Sequence, residues 1–77
     1  MDFQDFITEV FGPYRDSNPN QRTGQALFNA VANVRPELAN KLQDSGVDPF
    51  YLEDNDPEYF SKMANALAWL AENWVTA

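Results

Sequence analysis

The chain has no cysteine and no histidine among its 77 residues. The first absence excludes a disulfide framework, thiol catalysis and thiolate zinc sites. The second removes Ser-His triads, imidazole acid–base chemistry and nearly every transition-metal site. Glycine occurs three times, and no Gly-x-x-x-x-Gly-Lys-Ser/Thr run exists to cradle a phosphate. No apolar run approaches the roughly 20 residues needed to cross a bilayer, and the expectation from the opening residues is that there is no signal peptide. Bases are scarce, five against twelve acids, for a formal charge of −7. These absences leave the expectation of a soluble, cytoplasmic chain.

What is present is apolar and aromatic. Hydrophobic residues make up 44% of the sequence, with six phenylalanines, three tyrosines and two tryptophans. Each ring can bury roughly 150–250 Å², which is how so short a chain builds a core. The expectation is one domain over residues 1–77, without internal repeat or low-complexity tract.

Charge is unevenly placed. Residues 1–43 hold five acids and four bases, a net of −1, whereas residues 44–77 hold seven acids and only Lys62, a net of −6. Asp44, Asp48, Glu53, Asp54, Asp56 and Glu58 follow one another with no base between them. Such a surface repels phosphate, which argues against direct nucleic-acid binding and against anionic membrane. A partner with a basic surface is its electrostatic complement. Solubility alone is the plainer use of the same charge.

Periodicity gives an all-α reading. Phe3, Phe6, Ile7, Val10 and Phe11 form one helical stripe, and Gly12-Pro13 is expected to stop that helix. A second helix is expected from Asn18-Pro19 to about Val34, with Asn18 as cap and Leu27, Val31 and Val34 on its buried face. Gly24 within it marks close packing or an irregular first turn. Arg35-Pro36 breaks the chain and opens a third segment that ends near Gly46. Asp48-Pro49 opens a single turn whose Phe50, Tyr51 and Leu52 can plug a core. Asp56-Pro57 then caps the last helix. Its expected stripe is Phe60, Met63, Ala64, Leu67, Leu70, Ala71 and Trp74, with Trp69 off the stripe beside Ala66. No window alternates long enough for a strand, so a compact small bundle of four or five short helices around an aromatic core is expected.

Chemistry-bearing patterns are few. Asp54, Asp56 and Glu58 have the first three spacings of a calcium loop, but Tyr59 stands where glycine is needed and Asn65 where the bidentate glutamate belongs. Paired carboxylates for glycoside chemistry need a sugar-holding cleft, for which a bundle of this size has little room. No catalytic, cofactor-binding or metal-ligating residue is assigned. Backbone N–H groups at Arg22–Gln25 could hold an anion. Arg15, Arg22 and Arg35 are either structural partners of acids, with Arg35–Asp48 or Arg22 and an acid pinning the 47–56 loop, or contact residues. Tyr51 and Tyr59 bracket the acidic segment, and Trp69 lies off the buried stripe. Aromatic anchors beside carboxylates suit a partner surface, and a core that needs every ring is the competing use. The candidate partner-binding residues are Asp48, Tyr51, Glu53, Asp54, Asp56, Glu58, Tyr59 and Trp69.

Four short motifs recur in one order: Arg22-x-Gly24-Gln25-Ala26-x-Phe28-Asn29, then Arg35-Pro36-Glu37-Leu38-Ala39, then Asp48-Pro49-Phe50-Tyr51, then Trp69-Leu70-x-x-Asn73-Trp74. Over about residues 20–75 the chain resembles small accessory proteins encoded by bacteriophages and some bacteria. The resemblance implies a setting, a factor made during infection and working in the host cytoplasm, and carries over no functional residue. The combined expectation is a non-enzymatic acidic protein-binding module that modulates a host or phage protein. The alternatives are a nucleic-acid mimic inhibiting a DNA- or RNA-binding protein, and a self-associating structural subunit using the first helix as its interface.

Overall fold

The computed structural model describes residues 1–74, which form a small all-α bundle. The elements are α1 (Phe3–Phe6), a π-helical turn (Ile7–Phe11), α2 (Gly12–Ser17), α3 (Thr23–Val34), α4 (Pro36–Gln43) and α5 (Tyr59–Trp74). No strand occurs among the described residues. The radius of gyration is 11.5 Å. Phe6, Leu27, Val31, Leu42 and Leu70 are completely buried at its centre.

The amino-terminal helix begins where the Asp2 carboxylate accepts the Asp5 N–H at 2.8 Å, a side-chain cap. Contrary to expectation, Gly12-Pro13 does not stop it. The chain passes through a π turn, in which the Gly12 N–H reaches back to the Ile7 carbonyl, and continues as α2 to Ser17. A proline in mid-helix lacks an N–H and its ring crowds the carbonyl one turn earlier. The widened turn just before Pro13 is the opening that relieves that crowding. The apolar stripe itself is as read: Phe6 is buried, and Phe3, Ile7, Val10 and Phe11 pack partly buried on the core. This helix therefore lies on its own core.

Asn18 does not cap α3. Its N–H donates to the Arg15 carbonyl and its side-chain amide donates to the Tyr14 carbonyl at 2.8 Å, so it closes α2 instead. Asparagine offers donors as well as an acceptor, and here the donors decide. Pro19 and Asn20 form a turn, and α3 starts at Thr23. Ala26, Leu27, Ala30 and Val31 are its buried face, whereas Val34 is 40% exposed because α3 is already ending there. Arg35-Pro36 breaks the chain as expected, with Pro36 at the first position of α4. Gly46, at φ +87°, is in the left-handed region glycine permits.

The buried face of α5 is rotated from the expected one. Met63, Ala66, Leu70 and Trp74 are buried, and Tyr59 and Leu67 pack partly buried beside them. Phe60, Ala64 and Ala71 are exposed. Trp69 is half-buried against the core. The large residues Met63, Leu70 and Trp74 fix the stripe, and either Tyr59 or Phe60 could extend it by one turn; the fold takes Tyr59.

Candidate partner-binding surface

The chain between α4 and α5 is built from local side-chain caps. After Gly46, the Asp48 carboxylate accepts the Phe50 N–H at 2.9 Å, and the Leu52 N–H donates to the Pro49 carbonyl at 3.0 Å. That is the single turn expected at Asp48-Pro49, and it drives Leu52 into the core. Asp56 repeats the device: Oδ1 accepts the Glu58 N–H at 2.7 Å, and Oδ2 lies 3.1 Å from the Lys62 ammonium.

The loop is held to α3 by three non-local contacts. Pro49 is buried, and its carbonyl lies against Gly24 so closely that a Cβ there would sit 2.2 Å from the oxygen. The Arg22 guanidinium donates Nη2 to the Phe50 carbonyl at 2.8 Å and lies 6.0 Å from the centre of the Phe50 ring. Asp54, itself exposed, caps α3, accepting the Thr23 N–H at 3.0 Å and the Thr23 hydroxyl at 3.2 Å. Arg15 donates to the same hydroxyl through Nε and Nη2, at 3.1 and 2.9 Å. The anion-holding helix start anticipated at Arg22–Gln25 is thus occupied by the chain's own carboxylate.

The expected arginine–acid staples are replaced by arginine–carbonyl bonds. Arg22 bonds the Phe50 carbonyl rather than an acid. Arg35 does not meet Asp48; it donates to the Trp74 carbonyl and stands 4.8 Å over the Trp74 ring, with Glu37 3.4 Å away. A guanidinium fork suits a carbonyl and a ring face together, and neither carbonyl can be recognised from residue type.

The eight candidate residues divide accordingly. Tyr51 is 82% exposed, its ring held edge-on to Phe50 at 4.9 Å, and Phe50 is in turn edge-on to Phe28 at 5.5 Å. Glu53 and Glu58 are exposed. Asp48 and Asp56 are half-buried turn caps, and Asp54 is the α3 cap. Tyr59 and Trp69 are half-buried against the core, so neither stands free as an anchor. The free ring beside the acids is instead Phe60, 85% exposed, in edge contact with Tyr59 at 5.3 Å. Sequence reasoning assigned Phe60 to the core. The one signal for the alternative was that Tyr59 lies a full turn from Met63 on the same face.

A cavity of about 340 Å³ opens between this loop and α5. Val47, Asp48, Tyr51 and Leu52 line it from the loop, with Asp56, Lys62 and Asn65 from the start of α5. It combines an apolar floor, one exposed aromatic ring, two carboxylates and one ammonium. Among the described residues no group of three or more acids is placed to hold a metal ion; Asp54 caps α3 and Asp56 closes the turn before α5.

The Glu58 N–H, and secondarily the Lys62 ammonium, hold the Asp56 carboxyl below its usual value of 3.8. A carboxyl lowered in the folded state stabilises the fold above its unfolded value and loses that contribution as pH falls through the folded one. Asp56→Asn should therefore melt earlier than wild type at neutral pH, and the gap should narrow as pH falls below the usual carboxyl value of 3.8. Thermal melts of both proteins across that range check this; a gap independent of pH would detach the carboxylate charge from the cap.

No helix among the described residues is long and apolar enough to cross a membrane. Comparison of the chain with protein-family models, curated proteins and solved structures finds no match.

Proposed function

We propose that the chain is a non-enzymatic acidic module that binds a protein with a basic surface, and that Tyr51 and Phe60 are its contact rings. The observation that carries this reading is their exposure, 82% and 85%, beside Glu53, Asp56 and Glu58. Large exposed rings beside carboxylates have the composition of a contact surface. Rings give desolvated contact, and surrounding carboxylates steer the encounter. The resemblance of the motif order to small phage and bacterial accessory proteins is in keeping with a factor acting on a host or phage protein in the host cytoplasm. Nucleic-acid mimicry is less favoured, since Asp48, Asp54 and Asp56 are each engaged in a cap within the chain, which leaves few carboxylates for a long phosphate-like face. Self-association through the first helix is less favoured too, since that stripe packs on the core of its own chain.

Selection of a random peptide library on the immobilised protein tests the reading. Enriched peptides should carry Arg or Lys around an apolar anchor, and binding should fall with Tyr51→Ala and Phe60→Ala. Reversing Glu53 and Glu58 to Lys should slow association about tenfold or more at low salt and little at high salt. Selected peptides that are neutral or acidic, or binding indifferent to all four changes, would overturn it.

A further inference from the structure

The groove between the 46–52 loop and the start of α5 has features beyond those of a steering surface. Its aromatic wall is Tyr51, edge-on against Phe50, whose carbonyl is held by Arg22. Its two carboxylates are each held by one bond from the backbone, Phe50 N–H to Asp48 and Glu58 N–H to Asp56. The chain already places a cation there, the Lys62 ammonium 3.1 Å from Asp56 Oδ2. That pair is half exposed on the lysine side, and exposed pairs contribute about 0–1 kcal/mol, so an incoming cation can exchange with it. The groove is lined by the carboxylates of Asp48 and Asp56, and they belong to a stretch from Asp44 to Glu58 that holds six acids and no base. A cavity of about 340 Å³ is at the small end of ligand sites, which run to roughly 300–1,000 Å³.

We propose that this groove receives an arginine side chain from a basic partner segment, with the guanidinium plane on the Tyr51 ring and its N–H groups on the carboxylates of Asp48 and Asp56. Arginine fits better than lysine because a planar fork can stack on a ring and donate sideways at once, whereas an ammonium is a compact, strongly hydrated point. The apolar floor of Val47 and Leu52 takes the methylene stem. Lys62 is then an internal competitor, and its removal strengthens binding. This inference rests on the acidic-module reading and names the group that the module takes.

Titration of the isotope-labelled protein with a capped peptide of alternating glycine and arginine, followed by NMR at low salt, tests it. Equal-charge glycine–lysine peptide serves as the comparison. Saturable shifts should centre on Val47–Leu52, Lys62 and Asn65, and the arginine peptide should bind at least about fivefold tighter than the lysine one. Tyr51→Leu, at a ring exposed enough to leave the fold intact, should remove that preference. Lys62→Met should tighten binding about threefold, whereas Lys41→Met on α4, with the same charge change, should not. Equal response to the two lysine changes, or shifts spread over the acidic segment and indifferent to Tyr51→Leu, would overturn the groove while leaving an acidic module standing. No binding of either peptide at low salt would overturn both.

Discussion

Gly24→Ala is expected to destabilise the protein by about 2–3 kcal/mol, and Gly12→Ala to stabilise it by up to about 1 kcal/mol. Helix propensity alone gives both changes the same sign, since alanine is the better helix former by about 1 kcal/mol. The surroundings reverse one of them. A Cβ on Gly12 meets only the Ile7 carbonyl at 3.5 Å, an ordinary contact. A Cβ on Gly24 meets the Pro49 carbonyl oxygen at 2.2 Å and the Pro49 ring at 3.0 Å. That carbonyl cannot swing aside cheaply, because it accepts the Leu52 N–H that closes the loop turn. Moving the loop also pulls Phe50 from Arg22 and Asp54 from the start of α3. For a domain of this size each kcal/mol is worth roughly 4–8 °C of melting temperature, so circular-dichroism melts separate the pair well. A Gly24→Ala variant as stable as wild type would mean that the loop does not seat on α3.

Trp74→Ala should lower the melting temperature by roughly 12–40 °C. The indole is 3% exposed and lies against two rings, Phe6 at 4.8 Å and Phe3 at 5.5 Å. Its Nε1–H donates to the Met1 carbonyl at 3.0 Å, and the Arg35 guanidinium covers its face at 4.8 Å. Removing a buried aromatic costs about 3–5 kcal/mol, a large part of the roughly 4–12 kcal/mol available to a chain of 77 residues. Trp74→Phe keeps a ring and loses the bond to Met1, so it should fold with a loss of about 1–2 kcal/mol. Trp69 remains in both variants as a fluorescent reporter of unfolding. An alanine variant that melts like wild type would show that the amino-terminal helix does not depend on this contact.

Local interactions were legible and distant ones were not. The caps at Asp48 and Asp56 bond two residues ahead, and Pro36 opens α4 beside its own break; each follows from neighbouring residue types. The stripe of the first helix was equally plain. The seating of Pro49 on Gly24, the Arg22 bond to the Phe50 carbonyl and the Asp54 cap join segments 25 or more residues apart. Two of those contacts use backbone carbonyls, which every residue possesses, so residue type gives no hint of them. Asn18 and Gly12-Pro13 were read through their commonest uses, and the geometry of one turn decided each otherwise. On the candidate surface, Tyr51 stood out because, with Tyr59, it brackets the acidic segment. Phe60 did not, because a one-residue rotation of α5 separates a core ring from a free one.

The exposure of Tyr51 and Phe60 has a colloidal consequence. Bare rings on a neutral molecule would bring copies of it together. Here every copy carries −7, and like charge holds copies apart over roughly 10 Å at 0.1 M salt. Under the function proposed above, the same field opposes pairing of copies through the rings and favours cationic company there, so repulsion would act as a sorting rule as well as a solubiliser. As pH approaches the isoelectric value of about 4.1, that rule lapses, and the rings that a neutral-pH solution keeps for strangers become available to their own kind.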